Sequence, residues 1–111
     1  MIRIDDKDVE KILEFAGIDN AGGPIYRYQG YPFNGIIESF YSSGKLQDEA
    51  EYTDGHLGGV QREYYENGKI REEYYKYFAK PHGHWKEWDE DGILIHHSIW
   101  KEGQKTETLL G

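Results

Sequence analysis

Three glycines, Gly35, Gly59 and Gly83, stand 24 residues apart, and a set of turn and aromatic positions between them recurs in phase. The same shift carries Phe40 onto Tyr64 onto Trp88, and Gly44 onto Gly68 onto Gly92. A spacing kept three times without a gap marks a repeat array, in which each copy is one supersecondary unit that cannot bury its apolar face alone.

Within a unit the pattern reads strand, tight turn, strand. Asn67-Gly68 is a strong hairpin signal, and Ser43-Gly44 and Asp91-Gly92 hold the same place. A two-residue turn would pair Tyr65 with Ile70, whereas a three-residue turn with a glycine bulge pairs Tyr64 with Ile70. The second register is preferred here because it gathers one apolar face. That face is expected to hold Phe40, Leu46, Ala50 and Tyr52, then Tyr64, Ile70 and Tyr74, then Trp88, Leu94 and Trp100. The other face then carries Ser39, Tyr41, Gln47, Glu49 and Glu51, followed by Gln61, Glu63, Tyr65, Arg71, Glu73 and Tyr75. The third unit breaks the rule with Trp85, Ile93, Ile95 and Ile99, so both faces are expected to be covered near the C-terminal end.

The expected organisation is one domain: a cap over residues 1–20, a half repeat over 25–34, and full repeats over 35–58, 59–82 and 83–106, the repeat sheet spanning 25–105. Val9, Ile12, Leu13 and Ala16 fall at helical spacing before Gly17, which predicts a short amphipathic helix over Asp8–Ala16; the alternative is a first strand at Ile2–Ile4. Ile25 to Gln29 alternates like the return strand of an incomplete leading unit. Phe78-Ala79-Lys80-Pro81-His82 replaces the glycine-bearing connection of the other units, which predicts an irregular, longer loop at 76–82. The tail from Gly103 reads as a frayed end or small lid.

The apolar material is mostly aromatic, with 10 Tyr, 4 Phe and 3 Trp, which suits a thin sheet better than a thick aliphatic core. The formal charge of -8 repels nucleic-acid phosphate and anionic lipid and favours a basic protein partner; a merely solubilising charge would look the same. Without cysteine there is neither a disulfide framework nor a thiolate site. No apolar run reaches the length of a spanning helix and the N-terminus lacks an apolar signal region, so a cytoplasmic protein without membrane contact is expected.

Weighed for chemistry, the chain offers little. In the preferred register His84 and His96 lie diagonally on one face, about 7–8 Å apart at Cα. Zinc is opposed by the opposite directions of His96 and His97, the missing cysteines and the lack of a carboxylate at ligand spacing, so no metal or cofactor is expected. The serines show no nucleophile-elbow motif, and a flat sheet has few pockets that would shift a carboxylate, so no enzymatic activity is expected. The remaining candidate is an aromatic and acidic partner-binding stripe: Tyr41, Asp48, Glu49, Glu51, Glu63, Tyr65, Glu72, Glu73 and Tyr75. Tyrosines contribute contact area at low entropy cost and the acids steer a basic partner; the bland reading is cross-strand pairs and a solvated rim.

The units Gly-x-x-x-x-Phe-Tyr-Ser-Ser-Gly-Lys-Leu (35–46), Gly-x-x-x-x-Tyr-Tyr-Glu-Asn-Gly-Lys-Ile (59–70) and Gly-His-Trp-Lys-Glu-Trp-Asp-Glu-Asp-Gly-Ile-Leu (83–94) resemble the variant MORN repeat. The resemblance covers residues 25–105 and departs from the pattern at Lys76–His82. A short chain made only of such units also resembles the YwqK family of antitoxins. That likeness implies an immunity protein that occludes a cognate toxin, a nuclease or deaminase with a basic active-site region, and it carries over no catalytic residue. A generic scaffold for proteins or membranes is the alternative the same repeat implies. The fold expected is mostly β: a single antiparallel meander of about seven strands with a short N-terminal helix, whose open edges offer a homodimer contact.

Overall fold

Each repeat glycine does what its position asks. Gly44, Gly68 and Gly92 have φ of +90°, +89° and +87°, a region closed to most L-residues. In the second hairpin the Gly68 N–H donates to the Tyr65 carbonyl and the Tyr65 N–H donates to the Lys69 carbonyl, and the other two turns repeat this. Beyond the turns Phe40 faces Leu46, Tyr64 faces Ile70 and Trp88 faces Leu94, the register the three-residue turn predicts. The next pairs are Ser39–Asp48, Glu63–Glu72 and Glu87–His96. Gln47, Arg71 and Ile95 are therefore extra residues, one bulge per hairpin.

The computed structural model describes residues 1–111. The chain runs β1 (Ile2–Asp5), a 3-10 turn (Asp6–Asp8), α1 (Val9–Ile12), β2 (Glu14–Ile18), β3 (Pro24–Tyr28), β4 (Tyr31–Pro32) and β5 (Gly35–Phe40). It continues through β6 (Leu46–Thr53), β7 (His56–Tyr64), β8 (Ile70–Tyr77), β9 (Lys80–Pro81), β10 (Gly83–Trp88), β11 (Leu94–Lys101) and β12 (Gln104–Leu110). The strands form not one seven-stranded meander but two sheets. One has nine strands in the order β1-β5-β6-β7-β8-β10-β11-β12, with β9 beside β8, and the other has three, β2-β3-β4. β1 enters parallel to β5, Ile4 opposite Ile37, and covers the first edge.

The N-terminal expectation needs correction. The helix is a single turn, because Glu14 to Ile18 pair with β3, Phe15 opposite Tyr26, and gain a ladder that a second helical turn would forfeit. The half repeat over 25–34 keeps its strand pattern but leaves the main sheet. With β1 holding the edge beside β5, β3 and β4 fold over the sheet as a second layer. That layer creates the core: Ile4, Leu13, Phe33 and Tyr52 are buried, with Val9, Tyr26, Tyr28, Ile37, Ala50 and Leu57 packed around them. Phe33 is fully enclosed, and it forces Gly35, since a Cβ there would meet the Ile2 carbonyl at 2.6 Å and the Phe33 ring at 2.8 Å. Burial pushes the Tyr52 hydroxyl well above its ordinary range, with a small contribution from Tyr26.

Paired residues share a face and neighbours along a strand alternate, so the register also corrects the expected apolar face. Ala50, Tyr52, Tyr74 and Trp100 lie on the front, the side the small sheet covers, whereas Phe40, Leu46, Tyr64, Ile70, Trp88 and Leu94 lie on the back. The bulge is the reason: it absorbs one residue and turns the hairpin tips over relative to their bases.

Two further expectations change. Phe78 and Ala79 form a tight two-residue turn at φ +46° and +65°, matching Asp54-Gly55 and Glu102-Gly103, so the connection is short, while its irregularity lies just beyond the turn, where residues 82–85 oppose only Tyr74 and Tyr75. The Ala79 N–H donates to the Leu57 carbonyl at 2.7 Å, and this tertiary bond holds non-glycine residues in the left-handed region. The tail is a regular last strand, β12, interrupted by extra residues at Thr106 and Leu109. No helix is long and apolar enough to cross a membrane.

The second layer is tied down at Asp19, whose side chain is 9% exposed. It accepts hydrogen bonds from the Ala21 and Gly23 N–H groups at 3.0 and 2.9 Å and lies 2.9 Å from His56 Nδ1. Burial alone would raise the Asp19 carboxyl, but the hydrogen bond with His56 and those from the two N–H groups outweigh it and hold it below the ordinary range. A depressed folded value means stability present at neutral pH and lost as pH falls through that value. Asp19→Ala should therefore cost about 1–3 kcal/mol at pH 7 and flatten the acid limb of the stability profile, measured by urea unfolding. Phe33→Ala should cost about 3–5 kcal/mol by the same measurement.

Candidate functional site

The strands that carry the repeats present one charged row on each face. On the back, Glu38, Glu49, Arg62, Glu73, Lys86 and His97 stand in cross-strand register. Their charges are matched. Arg3 pairs with Glu38 at 2.8 Å and Glu49 at 2.6 Å, and Arg62 pairs with Glu73 at 2.8 Å. Glu49 also accepts from the Tyr64 hydroxyl at 2.6 Å. Burial works against its ionisation, yet the hydrogen bonds from Tyr64 and Arg3 and the charges of Arg3 and Arg62 hold it below the ordinary range. Burial and the Glu49 charge push the Tyr64 hydroxyl up to about 12.

On the front, Asp48, Glu63, Glu72 and Glu87 stand opposite one another across β6, β7, β8 and β10. Like charges directly opposite destabilise a sheet. The row's one salt bridge is from Arg71 to Glu63, at 3.6 Å. Glu72 accepts from Trp85 Nε1 at 3.0 Å, but burial and the neighbouring Glu87 and Glu63 outweigh that bond and raise its carboxyl above the ordinary range.

The row is flanked by two cavities that are copies of each other. Tyr41, Gln47, Asp48, Glu63, Tyr64 and Arg71 line one of about 100 Å³; Tyr65, Arg71, Glu72, Glu87, Trp88 and Ile95 line one of about 210 Å³. Each residue of the second is the repeat equivalent of one in the first. Toward the N-terminus a wider cleft of about 710 Å³ continues the acidic strip, with Asp5, Asp6 and Asp48 in its lining.

The predicted stripe therefore divides. Asp48, Glu63 and Glu72 come together on the front. Glu49 and Glu73 are bound to arginines on the back, and Glu51 is occupied by the Val60 N–H at 3.0 Å. Tyr75 is 40% exposed on the back, opposite Val60. Tyr41 and Tyr65 line the cavities with their rings while their hydroxyls tie one hairpin to the next, Tyr41 to the Tyr64 carbonyl at 2.5 Å and Tyr65 to the Trp88 carbonyl at 2.7 Å. The equivalent third position is Asp89, whose carboxylate instead accepts from the Asp91 and Ile93 N–H groups of its own turn at 2.9 and 3.0 Å. Glu87 escaped the sequence reading, although shifting Glu63 by one repeat lands on it.

Alongside the acidic row, Tyr74 and Trp85 stack at 4.2 Å and Trp85 lies 5.2 Å from Trp100. His96 and Ser98 sit 3.1 Å apart on this side, but Ser98 is completely buried and also accepts from Trp100 Nε1 at 3.0 Å, which leaves a substrate no approach. His84 shares its face with His97 rather than His96, which corrects the predicted pairing.

Two substitutions separate folding from surface charge. Tyr65→Phe removes one hairpin tie and should cost about 1 kcal/mol in urea unfolding. Glu72→Gln keeps an acceptor for Trp85 and removes a like charge, so it should gain about 0.2–1 kcal/mol at pH 7. A carboxyl raised in the folded state destabilises above its folded value and less so below it, so that gain should shrink as the pH is lowered.

Comparison with known proteins agrees with this geometry. The model of the MORN repeat variant matches residues 33–54, 57–77 and 81–102, together more than half of the chain. Neither a curated protein nor a solved structure matches it. Each matched stretch spans one strand, its connecting turn and its partner, so the match and the hairpin register describe the same units, and the chain belongs to the MORN repeat variant family.

Proposed function

We propose that this repeat scaffold is an antitoxin-type inhibitor that binds a basic protein surface through its front face and blocks it by occlusion. The observation that carries the reading is the contrast between the rows: on the back Arg3 and Arg62 pair Glu38, Glu49 and Glu73, with Lys86 in the same row, while the front row leaves Asp48, Glu72 and Glu87 without a salt bridge. Retaining opposed carboxylates costs folding stability, and a cationic partner returns that cost on binding. The sheet, within an envelope of 42 × 36 × 21 Å, is broad enough for the roughly 800 Å² per partner of a standard interface. The likeness to antitoxins supplies the class of partner, a toxin whose working surface meets nucleic acid and is therefore positive.

The paired cavities support a narrower reading of the partner. They lie two strand spacings apart, about 10 Å. A polyproline II segment has three residues per turn and a 3.1 Å rise, so residues i and i+3 project from the same side about 9 Å apart. Cations at that spacing address both cavities at once.

Co-expression with the product of the neighbouring gene should yield a co-purifying complex and rescue growth; a toxic neighbour that neither binds nor is relieved would overturn the antitoxin role. Independently, a proline-rich peptide with arginines at i and i+3 should bind at least tenfold tighter than one with arginines at i and i+2. Glu63→Gln with Glu87→Gln should abolish that preference, and association should slow as salt rises, because steering is screened beyond about 8 Å at physiological ionic strength.

A further inference from the structure

The third unit carries, on the back face, a pair of side chains that its siblings lack. His84 stands where the repeat has Ile36 and Val60, and His97 where it has Glu49 and Glu73. Neither histidine is needed to build a hairpin, since the siblings pair without one. His84 lies opposite Ile99 on β11 and His97 lies opposite Lys86 on β10, so the two are diagonal neighbours across one strand boundary. The strand ladder fixes their Cα atoms. His84 Nδ1 and His97 Nε2 are 2.8 Å apart, with ring planes at 37°.

We propose that His84 and His97 form a chelating site for a divalent transition ion of square-planar or octahedral preference, copper(II) or nickel(II) in place of zinc. A neutral imidazole has one N–H and one bare nitrogen, so the two facing atoms share one proton and leave one lone pair in the gap. A small turn of both rings brings two bare nitrogens to a common point on the open side of the sheet, where His84 is exposed.

The distance selects the metal. Imidazole nitrogen binds these ions at about 2.0–2.1 Å, so two nitrogens 2.8 Å apart subtend about 85–90° at the ion. That is the cis angle of a square plane or octahedron. A tetrahedral ion needs the nitrogens about 3.3–3.4 Å apart at the same bond length. Zinc must therefore spread the pair by about 0.5 Å, whereas copper and nickel keep the present separation once both rings have turned.

The surroundings are mixed in charge. Lys86 stands between Glu73 and His97 in its row, and Glu107 lies opposite Ile99 in the row of His84. No third histidine or carboxylate converges to close the site, so the remaining positions, two in a square plane or four in an octahedron, stay open to water or to a partner's side chain. The proposal is independent of the front-face interface, because the pair stands on the opposite side of the sheet.

The test is titration of the full chain with copper(II), nickel(II) and zinc(II) in a non-coordinating buffer at pH 7.5. Calorimetry gives the affinities, and electron paramagnetic resonance of the copper form gives the ligand set. The expected result is one copper ion with superhyperfine splitting from two imidazole nitrogens, and nickel held more tightly than zinc. His84→Ala and His97→Gln should each weaken copper about a hundredfold, the loss of an intramolecular second ligand. His82→Ala, at an exposed histidine outside the pair, should leave binding unchanged. Circular dichroism checks that each variant keeps the wild-type strand content. Failure of the wild-type chain to bind copper, undiminished affinity in both single variants, a single-nitrogen spectrum, or zinc held more tightly than nickel would overturn the proposal.

Discussion

One extra residue in every return strand governs the arrangement of this sheet. Gln47, Arg71 and Ile95 each oppose no partner of their own, and the bulge they make turns the hairpin tip over relative to its base. Without it Phe40, Tyr64 and Trp88 would share a side with Tyr52, Tyr74 and Trp100, and the front would be one apolar sheet. With it the apolar residues divide between two faces. The middle of each strand is then free to carry charge.

A single-layer array of this kind buries little, and the chain compensates in two ways. The N-terminal segment folds β2, β3 and β4 over the base of the first two hairpins and seals Phe33 against Tyr52. Where that second layer ends, successive hairpins are held edge to edge, by backbone ladders and by the tyrosine hydroxyls that reach from one unit to the carbonyl of the next. The first device is a true core. The second is a pair of polar ties, from Tyr41 and Tyr65, that repeats with the sequence.

The two charged rows show how one register yields two different surfaces. Arg3 comes from β1, outside the repeats, and reaches only the back, where it pairs Glu38 and Glu49. The front receives one arginine, Arg71, itself a bulge residue. The front is therefore a negative strip with one salt bridge and the back an already satisfied network, so the two sides present different fields to solvent.

The sequence by itself determined the repeat, because turn glycines and flanking aromatics act locally: left-handed φ at Gly68 and the pairing of Tyr64 with Ile70 need only a few residues in a row. It also named three of the four front carboxylates, and the fourth lay one repeat away. It could not place the N-terminal third. Asp8–Ala16 has helical spacing, and only the presence of β3 beside it makes a strand the better state from Glu14 onward. Nor could it show that Glu49 and Glu73 are spent on arginines, that Tyr41 and Tyr65 are ties, or that His84 meets His97. Those facts depend on which strands become neighbours and on the half-turn each bulge introduces, and such long-range pairing leaves no local trace in the chain.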